Sequence, residues 1–379
     1  MNNSYLKYTI KISMQSKILS GNRMQKIPQL QLFDDGPNGE QMGAFESYQV
    51  DQKTIELYEE AEDIYYDYKF DKAEKKLRQV IDQSPAFPDA YFLLADLKME
   101  AEDSIEAEKI IDMALKLFKS SIPSDYTGEI PWGITENRPF LSLMYQKLFF
   151  QKINENLEGA IDTGEQLLSR NPNDNHGVRW LMGDLHLLNS DQKEAARYLK
   201  ENCAQYPPNR YSYAFLLYKQ NKKWDAITQF RLAFIENIYI SELLSNKAPV
   251  VPYEIDEFSN LNGLDTAFEY VNDMGYYWIQ NSEVLNFMDL LKRHPIVITE
   301  LNNTYSLLYE LANVLPDQFE EFDFLEDPTE QNGGFSGSNN LYFETRKELI
   351  DEIEKIKKEI RTTSSKKILK ELNELVGDI

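Results

Sequence analysis

The sequence predicts an all-α protein: an α-solenoid of about five stacked helix pairs, followed by further C-terminal helices. One observation is a helical pattern of apolar residues that begins near Asp51 and runs through most of the chain. The other is a period of thirty-four residues, which indicates one small unit that buries its apolar face against the next copy. The positions that recur are Ala61 and Ala95, Ala73 and Ala107, Leu77 and Ile111, and Val80 and Ala114.

Composition limits the classes of protein and partner. The 379 residues are 42% hydrophobic and 12% aromatic, which is enough for a packed core and excludes general disorder. The net charge of -23 repels nucleic-acid phosphates and anionic lipid, so we expect no nucleic-acid or membrane partner, although an acidic balance also serves solubility. The single Cys203 excludes an internal disulfide framework and favours a reducing, cytoplasmic location. No apolar run approaches the ~18 residues of a membrane-spanning helix.

The amino-terminal segment differs from the rest. Residues 1–27 contain five basic and no acidic residues, and residues 1–50 are predicted to be a basic, disordered extension, with translation from Met24 as an alternative start. A first helix pair is then expected from residue 53 to 83, because the Ser84-Pro85 step disfavours helix. A second pair is expected from Pro88, a residue suited to the first turn of a helix, to residue 119.

Residues 121–139 interrupt the period with three prolines and two glycines, which predicts a loop that contains Trp132. The period resumes in a third, fourth and shorter fifth copy, so the solenoid is assigned to residues 51–240. Small residues are expected where the two helices of a pair cross, because larger side chains would separate the helix axes. The recurring positions are Leu148 and Gly183, Ala160 and Ala195, and Pro172 and Pro207, and the fifth copy has Ala214, Ala226, Phe230 and Ala233.

Beyond residue 240 the period fades. Residues 241–316 are predicted to continue the solenoid with helices at 264–280, 281–293 and 300–315, and residues 317–340 read as an acidic and then Gly-, Ser- and Asn-rich linker. Residues 341–379 are predicted to form a charged amphipathic helical hairpin. Its stripe either packs on the solenoid or mediates self-association. The stripe is formed by Leu349, Ile353, Ile356 and Ile360.

These copies resemble the tetratricopeptide repeat (TPR) family over residues 54–238, and the resemblance implies a right-handed α-solenoid that binds other proteins. A narrower similarity covers residues 130–290. It concerns bacterial repeat proteins that are similar to the suppressor-of-tumorigenicity-7 proteins of animals, and it brings no established chemistry. Ile238 stands where that group usually has proline. The segments that carry this similarity are 131–133 (PWG), 136–141 (ENRPFL), 171–179 (NPNDNHGVR), 236–240 (ENIYI) and 263–267 (GLDTA).

The TPR resemblance implies that the first helix of each pair lines a concave groove. Transferred to this chain, the lining is mainly aromatic and acidic, which favours an apolar or aromatic ligand segment with basic residues. Alternatively, these aromatics pack between pairs or beneath the C-terminal helices. The predicted lining is Tyr58, Glu62, Tyr65, Phe92, Asp96, Met99, Tyr145, Phe149, Lys152, Trp180, Asp184, Leu187, Tyr211, Phe215 and Tyr218.

Two polar groups are candidates for chemistry. Asn137, Arg138 and Arg179 either contact a ligand anion or tie the Trp132 loop to the neighbouring pair, and the structural tie is preferred. His176 and His186 are ~15 Å apart along a helix, which is too far for one metal ion. Asp174 is better suited to capping a helix than to binding metal.

The sequence therefore predicts a non-catalytic adaptor or scaffold that binds another protein or peptide, with no cofactor or metal. No phosphate-binding glycine loop, nucleophile elbow or HExxH motif is present in the sequence. An alternative is a regulatory protein that senses a peptide or small effector, around which the solenoid closes.

Overall fold

The computed structural model describes residues 28–34, 41–47, 50–245, 263–314, 337–363 and 365–376. Contacts divide the chain into two compact units, Met1–Asn189 and Ser190–Ile379, and each is described by itself. Most of the described residues are helical, as the sequence predicts. None of the described helices combines the length and the apolarity needed to cross a bilayer.

Among its described residues the first unit contains a β-hairpin, seven α-helices and a short 3-10 helix (Thr135–Asn137). The strands β1 (Leu30–Asp34) and β2 (Gln41–Phe45) pair antiparallel, with Leu30 opposite Phe45. In the helical part each helix packs against the next one along the chain, which is the arrangement of a solenoid. The helices are α1 (Gln52–Tyr66), α2 (Phe70–Gln83), α3 (Pro88–Glu100), α4 (Ser104–Lys119), α5 (Arg138–Ile153), α6 (Leu157–Arg170) and α7 (Val178–Leu188).

The second unit contains nine helices among the described residues. The prediction that helices continue beyond residue 240 is confirmed for 264–280 and 281–293, whereas the third helix begins at Pro295 rather than near residue 300. Its start is fixed by the ring of His294, whose Nδ1 accepts from the backbone amide of Ile296. The helices are α8 (Gln192–Asn202), α9 (Pro207–Lys219), α10 (Lys223–Glu236), α11 (Ile238–Leu244), α12 (Leu264–Gln280), α13 (Ser282–Lys292), α14 (Pro295–Ala312), α15 (Gly337–Thr362) and α16 (Ser365–Val376).

Five turns of the same construction recur along the chain, and in four of them both flanking helices lie in the same unit. Each turn has one residue with a left-handed backbone, two positions after the first helix of the pair ends and two positions before the second begins. This conformation is unfavourable for residues other than glycine. In the four turns within one unit the two flanking helices pack against each other, which explains why the turn is retained. The left-handed residues are Tyr68, Glu102, Glu155, Ser190 and Asn221.

Small residues lie where the helices approach closely, as predicted. The alanines of the repeat are at most 1% exposed, and they include Ala61, Ala107 and Ala160. At Gly164 on α6, an added Cβ would lie 2.5 Å from the Sδ atom of Met182 on α7. The thirty-four-residue period is therefore a packing period, set by the need for small side chains at the helix crossings.

The N-terminal hairpin differs from the prediction of disorder through residue 50. Residues 1–27 lie outside the described part of the chain, but β1 and β2 form a structured element. Phe45 is 3% exposed, and its ring centroid lies 5.0 Å from that of Phe118 and 5.3 Å from that of Phe140. The hairpin is short, and its order depends on aromatic contacts from helices distant in sequence, which local patterns do not reveal.

The C-terminal helices pack within the second unit. Ile353, Ile356 and Ile360 on α15 form a hydrophobic cluster with Leu232 and Ile235 of α10 and with α14. The contacts of these three isoleucines favour the alternative in which the stripe packs on the solenoid, and self-association stays a prediction. The acidic part of the predicted linker and most of its Gly-, Ser- and Asn-rich part lie outside the described residues, and α15 begins at Gly337.

Candidate interaction surface

The fifth pair contributes three of the predicted groove residues, Tyr211, Phe215 and Tyr218 on α9, and all three belong to the second unit. Tyr211 and Phe215 are 0% and 1% exposed. The hydroxyl of Tyr211 donates to the backbone carbonyl of Asn237 at 2.7 Å, and the Phe215 ring contacts Trp278 of α12 at 4.9 Å. Tyr218 packs on Phe287 of α13 at 4.6 Å. Because α12 and α13 cover this face of α9, Tyr211 and Phe215 do not line an open groove, whereas Tyr218 is half-buried.

The first unit presents the corresponding residues of α1 and α3 differently. Tyr58, Glu62 and Tyr65 on α1 and Phe92 on α3 are half-buried, so each keeps part of its side chain at the surface. Asp96 is 8% exposed. Asp89 is not among the predicted lining residues. It lies on the same stripe of α3 as Phe92 and Asp96, because it precedes Phe92 by three residues and Asp96 by seven. We call these six residues the acidic–aromatic face.

The electrostatics of the acidic–aromatic face show that its carboxylates are close together. Burial raises the pKa of Asp89 to about 7, and the nearby Glu62 carboxylate adds to this effect. Burial also raises the pKa of Tyr58 above its usual range, with further contributions from Asp89 and Glu62. Among the described residues, neither Glu62 nor Asp89 makes an ion pair or a side-chain hydrogen bond. Glu62 and Asp89 thus lack a counter-ion among the residues that the structure describes.

The predicted residues of α5 and α7 form a second aromatic group. The ring of Tyr145 stacks on that of His176 at 5.1 Å and 21°, and Trp132 meets His176 edge-on at 4.7 Å. Burial lowers the pKa of His176 to about 4, so the imidazole is neutral near pH 7. Trp180 is half-buried, and the Arg179 guanidinium lies 5.5 Å from its ring centroid. Tyr145 therefore serves packing of the Trp132 loop.

The other predicted lining residues of the first unit differ in burial. Phe149 is half-buried, and its ring contacts Phe150 at 5.9 Å. Leu187 is 3% exposed, so it belongs to the core and not to a groove. The side chains that remain at least partly accessible here are Met99, Phe149, Lys152, Trp180 and Asp184.

Asn137 and Arg138 form the structural tie preferred in the sequence analysis. Asn137 is fully buried: its Oδ1 accepts from the Phe45 amide at 2.9 Å, and its Nδ2 donates to the carbonyls of Gly43 and Pro131, each at 3.0 Å. The Nε of Arg138 donates to the carbonyl of Trp132 at 3.2 Å. Asn137 therefore fastens both the hairpin and the loop to the start of α5.

Arg179 and His186 also lie among groups that stabilise the fold. Arg179 faces Asp174 with Nε and Oδ2 3.7 Å apart, and Asp174 accepts from the backbone amides of Val178 and Arg179, which confirms its role as a helix cap. His186 is buried in α7. Across the ranges that the structure describes, no group of His, Cys, Asp and Glu is arranged to hold a metal ion.

Cys203 is buried near the end of α8, and burial raises the pKa of its thiol. A raised thiol pKa lowers the fraction of reactive thiolate, which is the property of a structural cysteine.

Comparison with protein families gives one match. The model of the family Tcf25, described as "Transcriptional repressor TCF25", matches residues 48–271, which is more than half of the chain. The match extends from just before α1 into α12 and includes the acidic–aromatic face. No curated protein sequence matches the chain. These findings do not show the narrower resemblance to the suppressor-of-tumorigenicity-7 proteins.

Solved structures with a similar arrangement of helices include TPR-repeat proteins. MamA from Desulfovibrio magneticus RS-1 is 11% identical with a TM-score of 0.38, and the match covers 48% of this chain and 94% of that one. YrrB, described as a TPR protein with an unusual peptide-binding site, is 14% identical with a TM-score of 0.37, over 48% and 87% of the two chains. A structure of Naa15/Naa10 bound to HypK-THB is 15% identical with a TM-score of 0.32, over 71% and 41%.

Proposed function

This chain belongs to the Tcf25 family, described as a transcriptional repressor, and from that premise we propose that it is a non-catalytic regulatory scaffold. Its acidic–aromatic face binds a segment of a partner protein that combines basic with aromatic or apolar residues. One observation carries this proposal: Glu62 and Asp89 are half-buried carboxylates that no cation of the described residues reaches, and they lie beside the ring of Tyr58.

The burial of these carboxylates strengthens their attraction for an incoming cation. The carboxylate of Asp89 loses hydration on folding without gaining a cation, and this raises its pKa. A cation that binds there would stabilise the ionised carboxylate. A lysine or arginine placed between Glu62 and Asp89 would restore the ionised form of Asp89 and would also contact aromatic rings. Apolar groups of the same segment would pack on Phe92 and Tyr65, which supply large contact areas at low entropic cost.

The chemistry of this face also suggests how the chain would act in regulation. A molecule with a net charge of -23 is repelled by DNA, so a repressing role would operate through proteins that carry basic segments. Basic segments that contact phosphates are complementary to the acidic–aromatic face. We therefore expect the scaffold to compete with nucleic acid for such a segment rather than to bind nucleic acid itself.

The test is a binding titration with the full chain. A fluorescein-labelled peptide that alternates arginine and phenylalanine serves as the probe, and a neutral counterpart with glutamine in place of arginine shows the dependence on charge. The double variant Glu62→Gln, Asp89→Asn should weaken binding of the arginine peptide by about tenfold, because both carboxylates lose their charge. Fluorescence anisotropy measures the affinity.

A matched control uses two acids that are exposed on α1. The double variant Glu59→Gln, Asp63→Asn removes the same amount of charge from the same helix but away from the acidic–aromatic face. It should bind like the wild type. Equal weakening in both double variants would mean that net charge alone attracts the peptide, and the proposed site would be rejected.

A further inference from the structure

A second candidate surface lies in the other unit, where α10 meets α16. Trp224, in the first turn of α10, leaves 49% of its surface exposed, which is unusual for the largest apolar side chain. It borders a cleft of about 440 Å³. The cleft is lined by Trp224, Lys366, Leu369, Lys370, Asn373 and Glu374, and we call it the Trp224 cleft.

The Trp224 cleft is held in place by a buried polar network. Thr228, one turn after Trp224, shares a hydrogen bond with Ser365 at 2.7 Å, and Arg231 donates to the same Ser365 oxygen at 3.1 Å. Arg231 is 1% exposed and also pairs with Glu300 of α14. Since Ser365 begins α16, this network fixes the lysines of α16 relative to the tryptophan.

The charge at the cleft is opposite to that of the chain. The Nζ atom of Lys366 lies 5.0 Å from the centroid of the Trp224 ring, and Lys366 makes no ion pair with any described residue. Lys370 is also exposed and forms a loose surface ion pair with Glu374, with Nζ and Oε1 3.7 Å apart. Lys222 and Lys223 directly precede the tryptophan. Exposed lysines around an apolar floor of Trp224 and Leu369 attract carboxylates that are accompanied by apolar groups.

We propose that the Trp224 cleft binds an acidic segment of a partner protein that contains an aliphatic or aromatic residue. The carboxylates of the segment pair with Lys366 and Lys370, and its apolar side chain covers Trp224 and Leu369. A nucleic acid is the poorer occupant, because Glu374 lies in the cleft and the chain as a whole repels polyanions.

The experiment uses the full chain and a fluorescein-labelled peptide that alternates glutamate and leucine. The double variant Lys366→Glu, Lys370→Glu and the variant Trp224→Ala should each weaken binding by about tenfold or more. Lys193→Glu, at a side chain that is 92% exposed on α8, should leave the affinity unchanged. Glu374→Lys should strengthen binding, a gain that misfolding cannot produce.

Three results would overturn the proposal. They are unchanged affinity in the lysine double variant, absence of wild-type binding up to about 1 mM peptide, and displacement of the peptide by an oligonucleotide that binds more tightly in a Trp224-dependent way. The probe has the opposite charge to the one used for the acidic–aromatic face, so the two proposals fail independently.

Discussion

Individual carboxylates in this protein differ in pKa according to whether a cationic side chain contacts them. Glu74 on α2 accepts from Lys98 at 2.8 Å and from Arg78, and these hydrogen bonds lower its pKa. Asp89 is buried near Glu62 without such a partner, and its pKa rises to about 7. The fold supplies Glu74 with two cations, whereas Asp89 has none among the described residues, which is the basis for proposing it as a ligand contact.

The raised pKa of Asp89 predicts a pH dependence of stability. The folded state holds the Asp89 proton more tightly than the unfolded state, so this contribution to stability is fully present below about pH 4 and is lost as the pH rises through about 7. Asp89→Asn should flatten the fall in melting temperature between about pH 5 and pH 8. Thermal denaturation at several pH values measures this. An unchanged slope in the variant would contradict the burial of Asp89.

The side chain of Asn137 predicts the effect of losing a single tie. Asn137→Ala leaves the buried Phe45 amide without its acceptor and removes both donations to carbonyls, which should cost about 1–3 kcal/mol. Hydrogen exchange of the Phe45 amide should become faster. Asn173→Ala, at an exposed position nearby, is the matched control and should change neither quantity. Slow exchange at Phe45 in the Asn137 variant would show that other contacts hold the hairpin.

At the scale of elements, side chains far apart in sequence decide where the terminal helices lie. The repeated pairs need only local turns and small residues, but α15 and α16 reach their places across residues 315–336, which lie outside the described chain. Their positions depend on apolar contacts with α10 and α14 and on buried polar contacts. The hydrogen bond between His294 and Glu371, with Nε2 and Oε2 2.9 Å apart, adds one such contact to α16.

Arg231 predicts how strongly α16 depends on these contacts. Arg231→Met leaves the partly buried Glu300 without its partner and Ser365 with one bond fewer, so unfolding should cost about 3–5 kcal/mol less. Arg197→Met removes an exposed arginine that also pairs with an acid, and it should change stability by less than about 1 kcal/mol. Urea denaturation measures both. The double variant Arg231→Met, Glu300→Leu should recover part of the loss, and a failure to recover would locate the cost elsewhere.

At the scale of the whole molecule, the acidic–aromatic face and the Trp224 cleft carry opposite charge. The first lies in the unit Met1–Asn189 and is acidic like the chain, and the second lies in the unit Ser190–Ile379 and is basic against the chain's net charge of -23. A scaffold with two such surfaces could hold two chemically different segments. The TPR-like helix pairs supply the framework, and the proposed function resides in side chains placed on it.

The candidate site was predicted only in part. The resemblance to the TPR family gave Tyr58, Glu62, Tyr65, Phe92 and Asp96, and a search of the same stripe for acids would have added Asp89. The residues of the fifth pair were assigned to a groove because the family pattern places them there. Helices α12 and α13 cover them, and no local pattern reports which face a later helix will occupy.

The sequence by itself determined the helix pairs, their turns and their small residues at the crossings, because each of these depends on neighbours within one period of the repeat. The tertiary structure alone decided that the N-terminal hairpin is ordered by Phe45 and Asn137, that the isoleucines of the α15 stripe pack on α10 and α14, and that Trp224 stands beside Lys366. Those outcomes depend on contacts between residues far apart in the chain, and such contacts leave no periodic trace in the sequence.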